Sequence, residues 1–163
     1  MSPRPIVYTL RAGPEKNTWQ LVPPRQAQER AEDLEEVRAI IDAGEFEVAQ
    51  DELRWLLDGY HDLLEAHRLL GELALEAHDI KLGRAHFGYA FKLGLDALPA
   101  GFTGTLPYAL PANQSFLESG KGLAWCLQEL GKVDSARDIW RQMLRFDPAD
   151  FLGAGAMLAK GGG

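Results

Sequence analysis

The side chains whose types could do chemistry are four histidines (His61, His67, His78, His86), one cysteine (Cys126) and the carboxylates of ERAEDLEE at 29–36. Imidazoles and a thiolate could ligate zinc or build a nucleophile–base pair, and paired carboxylates could exchange protons. The spacing argues against each. No HExxH pair is present, and in a helical reading the histidines fall at different angles and on different helix pairs. Cys126 has no nearby histidine in sequence and stands in an acidic chain, which disfavours the thiolate. The 29–36 carboxylates lie near a helix start, where the dipole favours negative charge, and read as a solvated face. Gly101-Phe102-Thr103-Gly104 lacks the Lys-Ser/Thr and the preceding strand of a phosphate loop. The expectation is a protein with no catalytic residues, no metal and no cofactor.

At 163 residues, 46% apolar and 25% charged, the chain suits one globular domain. A net charge of −7 disfavours nucleic acid and anionic membrane as partners. One cysteine cannot form an internal disulfide, Met1–Gly13 lacks the apolar core of a signal peptide, and no eighteen-residue apolar run occurs. These features point to the cytoplasm.

The elements emerge from periodicity. Pro5–Leu10 and Thr18–Val22 alternate at period two around a Gly-Pro turn cluster and read as a β-hairpin in an N-terminal arm, 1–24. A lone hairpin is marginal in water, so it should dock on the helices C-terminal to it; the alternative is a floppy arm. Pro23 and Pro24 close the strand and open a helix. From Arg25 the period becomes 3.6, with helices to Gly44, over Glu45–Asp58, His61–Ala77, Ile80–Leu93, Asn113–Leu130 and Asp134–Arg145. Asn113 reads as an N-cap, and Asp147-Pro148 as the opening of a last helix, about 148–159. Gly161–Gly163 reads as a flexible tail.

Laid over itself, the chain repeats. Ala49 superposes on Gly83, 34 residues later, and Ala136 takes that place in a third unit, 53 residues on, or 34 plus a 19-residue insertion. A helix–turn–helix period of 34 resembles the tetratricopeptide repeat, TPR. The third unit is most similar, through Leu123-Ala124, Leu127, Gly131, Ala136, Trp140, Met143, Leu144, Asp147 and Pro148. The second matches through His67, Leu70-Gly71, Ala74, Gly83, Phe87 and Ala90. The first keeps Gly44, Ala49, Leu53 and Leu56, with Glu36-Val37 where Leu-Gly is the pattern. The resemblance covers roughly 28–159 and implies a mostly α fold: a solenoid of three helix pairs at about 30–63, 64–94 and 117–148, an insertion at about 95–112, and a capping helix. A generic helical bundle is the alternative. Small Gly71, Gly83, Ala90, Ala124 and Ala136 would let paired helices approach, while Leu53, Phe87 and Trp140 fill the space between pairs.

The resemblance further implies a concave groove lined by the first helix of each pair. In register its residues are Leu34, Arg38 and Ile41, then Arg68, Glu72 and Leu75, then Lys121, Trp125 and Gln128. Its function would be that of an adaptor, scaffold or assembly chaperone holding a peptide or helix of another protein. The carboxylate-clamp subclass is not expected, because Leu34 and Glu72 replace clamp members and no asparagine lines the groove. Trp125 reads as an anchor for a partner, or as a side chain covered by this chain's own segments. The insertion, with Phe102, Leu106, Tyr108 and Leu110, is expected to lie pinned against the repeats and to shape or cap the groove. A self-associating protein, a homodimer in solution, is the runner-up.

Overall fold

Three turns with the same hydrogen bonds set out the helical part of the chain. In the computed structural model, which describes residues 7–160, Gly44, His78 and Gly131 have positive φ of 79°, 59° and 79°. In each turn this residue's amide donates to the carbonyl three residues back, and the next amide to the carbonyl five residues before it. The pairs are Gly44 to Ile41 and Glu45 to Ile40, His78 to Leu75 and Asp79 to Ala74, Gly131 to Gln128 and Lys132 to Leu127. This is the Schellman ending, in which one left-handed residue satisfies the last carbonyls of a helix. The turns stand 34 and 53 residues apart, the intervals that relate Ala49, Gly83 and Ala136.

The helices joined by these turns are α2 (Ala31–Asp42) to α3 (Phe46–Gly59), α4 (Leu64–Glu76) to α5 (Ile80–Leu95), and α6 (Gln114–Glu129) to α7 (Val133–Phe146). A single-turn α1 (Arg25–Gln28) precedes them and α8 (Ala154–Lys160) comes last. Each of α2 to α7 packs on the next in chain order, α4 also packs on α6, and α2 touches α4. Close approach comes from missing side chains. The buried Phe87 ring of α5 lies between Gly71 of α4 and Gly122 of α6, where an added Cβ would come within 2.8 and 2.6 Å of it. Ala49, Ala90, Ala124 and Ala136 are likewise buried, as are Leu53 and Trp140. The described residues thus hold eight α-helices and one two-stranded sheet. None of these helices is long and apolar enough to cross a membrane.

The hairpin and the insertion form one body. Strands β1 (Thr9–Ala12) and β2 (Trp19–Val22) pair antiparallel, Thr9 opposite Val22 and Ala12 opposite Trp19. The first expected strand began at Pro5; Pro5, Ile6 and the Gly161–Gly163 tail lie outside the described residues. Leu21 and Tyr8 are buried, so the hairpin docks. Thr105 extends it: Trp19 N donates to Thr105 O at 2.9 Å and Thr105 N to Asn17 O at 3.0 Å. Leu106, fully buried, donates its amide to Phe146 O at 2.7 Å. Below them Phe91 stacks on Phe116 at 4.8 Å, with Phe146 tilted against it at 5.6 Å.

Local sequence misreads two caps and one continuous helical run. Asn113 does not cap α6 with its side chain; a short 3-10 turn at Pro111–Asn113 leads into that helix. Its carboxamide is buried instead, accepting from Leu21 N at 2.9 Å and donating to Trp19 O and Pro107 O at 2.9 and 3.0 Å. Asp147 does not open the last helix, because its carboxylate accepts from the amides of Tyr108 and Phe151. Asp150 supplies the cap of α8, accepting from Ala154 N and Gly155 N, so the helix begins at 154 and not 148. The run from Arg25 also breaks at Glu29–Arg30, where Arg30 N turns back to Ala27 O and the guanidinium covers the Tyr60 ring at 4.7 Å.

Candidate functional site

Helices α2, α4 and α6, the first of each turn-linked pair, present the residues expected to line a groove. Between them lies an ion-pair network rooted on Glu65. Arg68, one turn along α4, donates from Nε to Glu65 Oε1 at 2.7 Å and from Nη1 to Glu72 Oε1 at 2.6 Å. Arg38 Nη2 of α2 stands 3.3 Å from Glu65 Oε2, and Ser115 of α6 donates its hydroxyl to that same oxygen. One carboxylate therefore ties three helices. Burial works against the Arg68 charge, but the Glu65 and Glu72 carboxylates outweigh it and hold the guanidinium above its ordinary range. Burial raises the Glu72 carboxyl; Arg68 opposes this, while Glu65 and Glu118 add to it.

The nine expected residues separate by this geometry. Leu34 is buried and Ile41 half-buried, both packed into the core between α2, α3 and α4. Arg38, Arg68 and Glu72 are brought together through Glu65. Leu75 is half-buried, its methyl facing Gly83 of α5. Lys121 and Gln128 are exposed, and Trp125 is 41% exposed. The sequence register places Glu65 beside Arg68 and Glu72 but gives no sign of Ser115, since a carboxylate clamped from three helices has no signature in any one of them.

At the end where α4 and α6 begin, the hairpin and insertion form the wall of a cavity of about 590 Å³. Leu21 and Tyr8 face Ala31, Leu34 and Arg38 across it, with Phe116 behind. Tyr8 takes the place of a cap residue on α4, its hydroxyl accepting from Leu64 N at 2.8 Å. Burial pushes the Tyr8 phenol up to about 12. Tyr108 of the insertion donates to Glu118 of α6 at 2.8 Å; burial and this carboxylate push it up to about 12. The insertion therefore touches α6 within two turns of its start. Apolar surface with a few convergent polar groups, in a cavity of this size, suits an inserted side chain or a small ligand.

A second polar cluster lies between α4 and α5. Contrary to the expectation of separate pairs, His67 and His86 meet, Nδ1 to Nδ1 at 3.3 Å. His67 Nε2 lies 2.8 Å from His61 O, a carbonyl that only accepts, so that nitrogen carries the proton. In the neutral pair His67 Nδ1 then accepts and His86 Nδ1 donates. Tyr89 packs on His67 at 4.4 Å and donates to Asp62. Among the described residues no three His, Cys, Asp or Glu side chains are grouped to hold a metal. Cys126 is buried against Gly83, and burial pushes its thiol up to about 11. The chain matches no protein-family model and no curated protein.

Proposed function

We propose that this chain is a protein–protein interaction module, a TPR-like solenoid in which the pairs α2–α3, α4–α5 and α6–α7 stack and α8 caps the last. Its concave face would hold a peptide or helix of another protein as an adaptor, scaffold or assembly chaperone does, without catalysis. One observation supports the reading: α2, α4 and α6 end in three equivalent Schellman turns at the repeat interval, and Trp125 of α6 stands 41% exposed. An accessible indole is the kind of anchor that dominates interface energetics. Arg68, engaged by two carboxylates, serves to hold α4 in shape.

Affinity capture from extract of the source cells, with wild type, Trp125→Ala and Trp55→Ala compared, tests this. Trp55 is 64% exposed on α3, outside the proposed groove, and is a matched control. A partner lost with Trp125→Ala and retained with Trp55→Ala is expected. Retention by the first and loss by the second would move the interface to α3 and defeat the groove assignment.

The self-associating reading has its own observation. Val48 and Trp55 are 48% and 64% exposed and two helical turns apart on α3, an apolar stripe that a second copy could cover. Light scattering across a hundredfold concentration range decides it: a constant monomer mass excludes a dimer.

A further inference from the structure

The cavity of about 590 Å³ is walled by parts of the chain that a helix array does not need. Tyr8 and Leu21 of the hairpin and Pro111 after the insertion close it against Leu34 of α2 and Phe116 of α6. At about 30 Å³ for each water it has the volume of about twenty, within the range of small-ligand sites. Most of its lining is apolar, so an apolar body entering it gains by leaving water. The charged groups of the lining are Glu35, Arg38 and Glu65. Glu65 is already engaged by Arg68, Arg38 and Ser115. Arg38 turns one nitrogen to it at 3.3 Å, and its other guanidinium N–H groups have no partner among the described residues. Glu35, exposed and one turn before Arg38 on α2, has no ion pair or hydrogen bond among those residues. The rim therefore presents a spare carboxylate and an under-used guanidinium on one helix face. Gln28 stands there too, its amide nitrogen donating to Pro23 O at 2.9 Å, which leaves its side-chain oxygen as an acceptor.

We propose that this cavity binds a small apolar zwitterion of dipeptide size. Its ammonium meets Glu35, its carboxylate meets Arg38, its peptide N–H meets the Gln28 oxygen, and its two side chains lie among Tyr8, Leu21, Leu34 and Phe116. A ligand with an anionic head alone would bring that charge beside Glu35 and Glu65, and a cationic head alone would meet Arg38; a ligand with both charges satisfies both groups. Two extended residues span about 7 Å, close to the separation of about 5–6 Å between side chains at i and i+3. The site is separate from the groove reading above, since it uses neither Trp125 nor a partner protein.

The probes are the dipeptide Leu-Phe, its N-acetyl form and its C-terminal amide, each titrated calorimetrically into the full chain. The free dipeptide should bind at least tenfold tighter than either capped form. Glu35→Gln breaks no contact of the fold; it should weaken the free dipeptide about tenfold and leave the acetylated one unchanged. Arg38→Gln should likewise weaken the free dipeptide and leave the amide unchanged. Because Arg38 also pairs with Glu65, a thermal melt accompanies that variant, and Glu35→Gln decides the matter if it unfolds. Ala31→Trp, at an exposed position of the lining, should block all three forms. Equal binding of the three forms, no binding of any, or a preference that survives Glu35→Gln would overturn the proposal. If Leu-Phe binds only to a chain lacking residues 1–6, the chain's own N-terminus is the occupant and the proposal fails. Trp125→Ala should leave dipeptide binding unchanged, so this result and the capture of a partner protein stand or fall separately; loss of binding on that variant would move the ligand out of the cavity.

Discussion

Asn113 holds together backbone from the hairpin and the insertion, satisfying Leu21 N, Trp19 O and Pro107 O from one buried carboxamide. Asn113→Ala would leave buried polar groups unpaired at about 1–3 kcal/mol each, so a loss of about 3 kcal/mol is expected. In a chain of this size that lowers the melting temperature by about 10 °C in a calorimetric scan. A melt unchanged within 2 °C would mean that the hairpin contributes nothing to the fold. His78 presents the opposite case. It occupies a left-handed conformation that Gly44 and Gly131 adopt freely in the equivalent turns. A Cβ there costs about 1–2 kcal/mol, partly offset by the entropy that glycine loses on folding. His78→Gly should therefore stabilise the protein by about 0.5–1 kcal/mol in urea unfolding, and destabilisation would show that the imidazole makes a contact worth more than the strain. The turn was legible in outline, since position 78 stands 34 after Gly44. A histidine, however, gives no sign in sequence that it holds a glycine conformation.

At the scale of elements, the α4–α5 contact contains a titratable pair that sequence spacing did not bring together. Burial lowers the pKa of both His67 and His86; the His61 carbonyl and Asp62 oppose this at His67, and the His67 ring and Arg54 add to it at His86. Proton counts set the sign. Below the ordinary value of 6.5 the unfolded chain binds more protons at these positions than the folded one, so stability falls as pH drops from 6.5 toward the lowered folded values. Glu72 acts in the opposite direction around its own range, because its raised carboxyl takes up a proton in the fold before it does in the unfolded chain. The comparison therefore belongs between pH 7.5 and 5.5. Wild type should lose stability over that interval, and His86→Gln, which can still donate to His67 Nδ1, should lose less. An identical decrease in both would place the pH sensitivity elsewhere. Helix positions and the Ala49, Gly83, Ala136 register were readable because they repeat locally. Asn113 and Asp147 looked like caps because cap residues are recognised from neighbours along the chain. Their actual partners lie far away in sequence, Leu21 for one and Tyr108 for the other.

For the whole molecule, the insertion separates an idle linker from a structural part. Thr105 adds main-chain bonds to the hairpin, Leu106 is fully buried and bonds the end of α7, and Tyr108 stacks on Phe151 at 4.3 Å while donating to Glu118. The same segment thus touches the N-terminal sheet, helix α6, and the turn into α8. Replacing residues 99–111 with a short Gly-Ser linker removes those anchors and one acceptor of Asn113. It also returns conformational freedom to thirteen residues, which offsets part of the loss. Burial of Leu106 alone is worth about 1.5–3 kcal/mol, so a net destabilisation of about 3 kcal/mol or more is expected. The hairpin loses its covering strand and should become the first site of limited proteolysis, near Arg11 or Lys16, while the helices keep their circular dichroism. If the variant melts like wild type and the hairpin stays protected, the insertion is a passive connection and the cavity wall it shares with the hairpin stands without it. If instead the helical signal collapses with the hairpin, the insertion is part of one cooperative core with the helices.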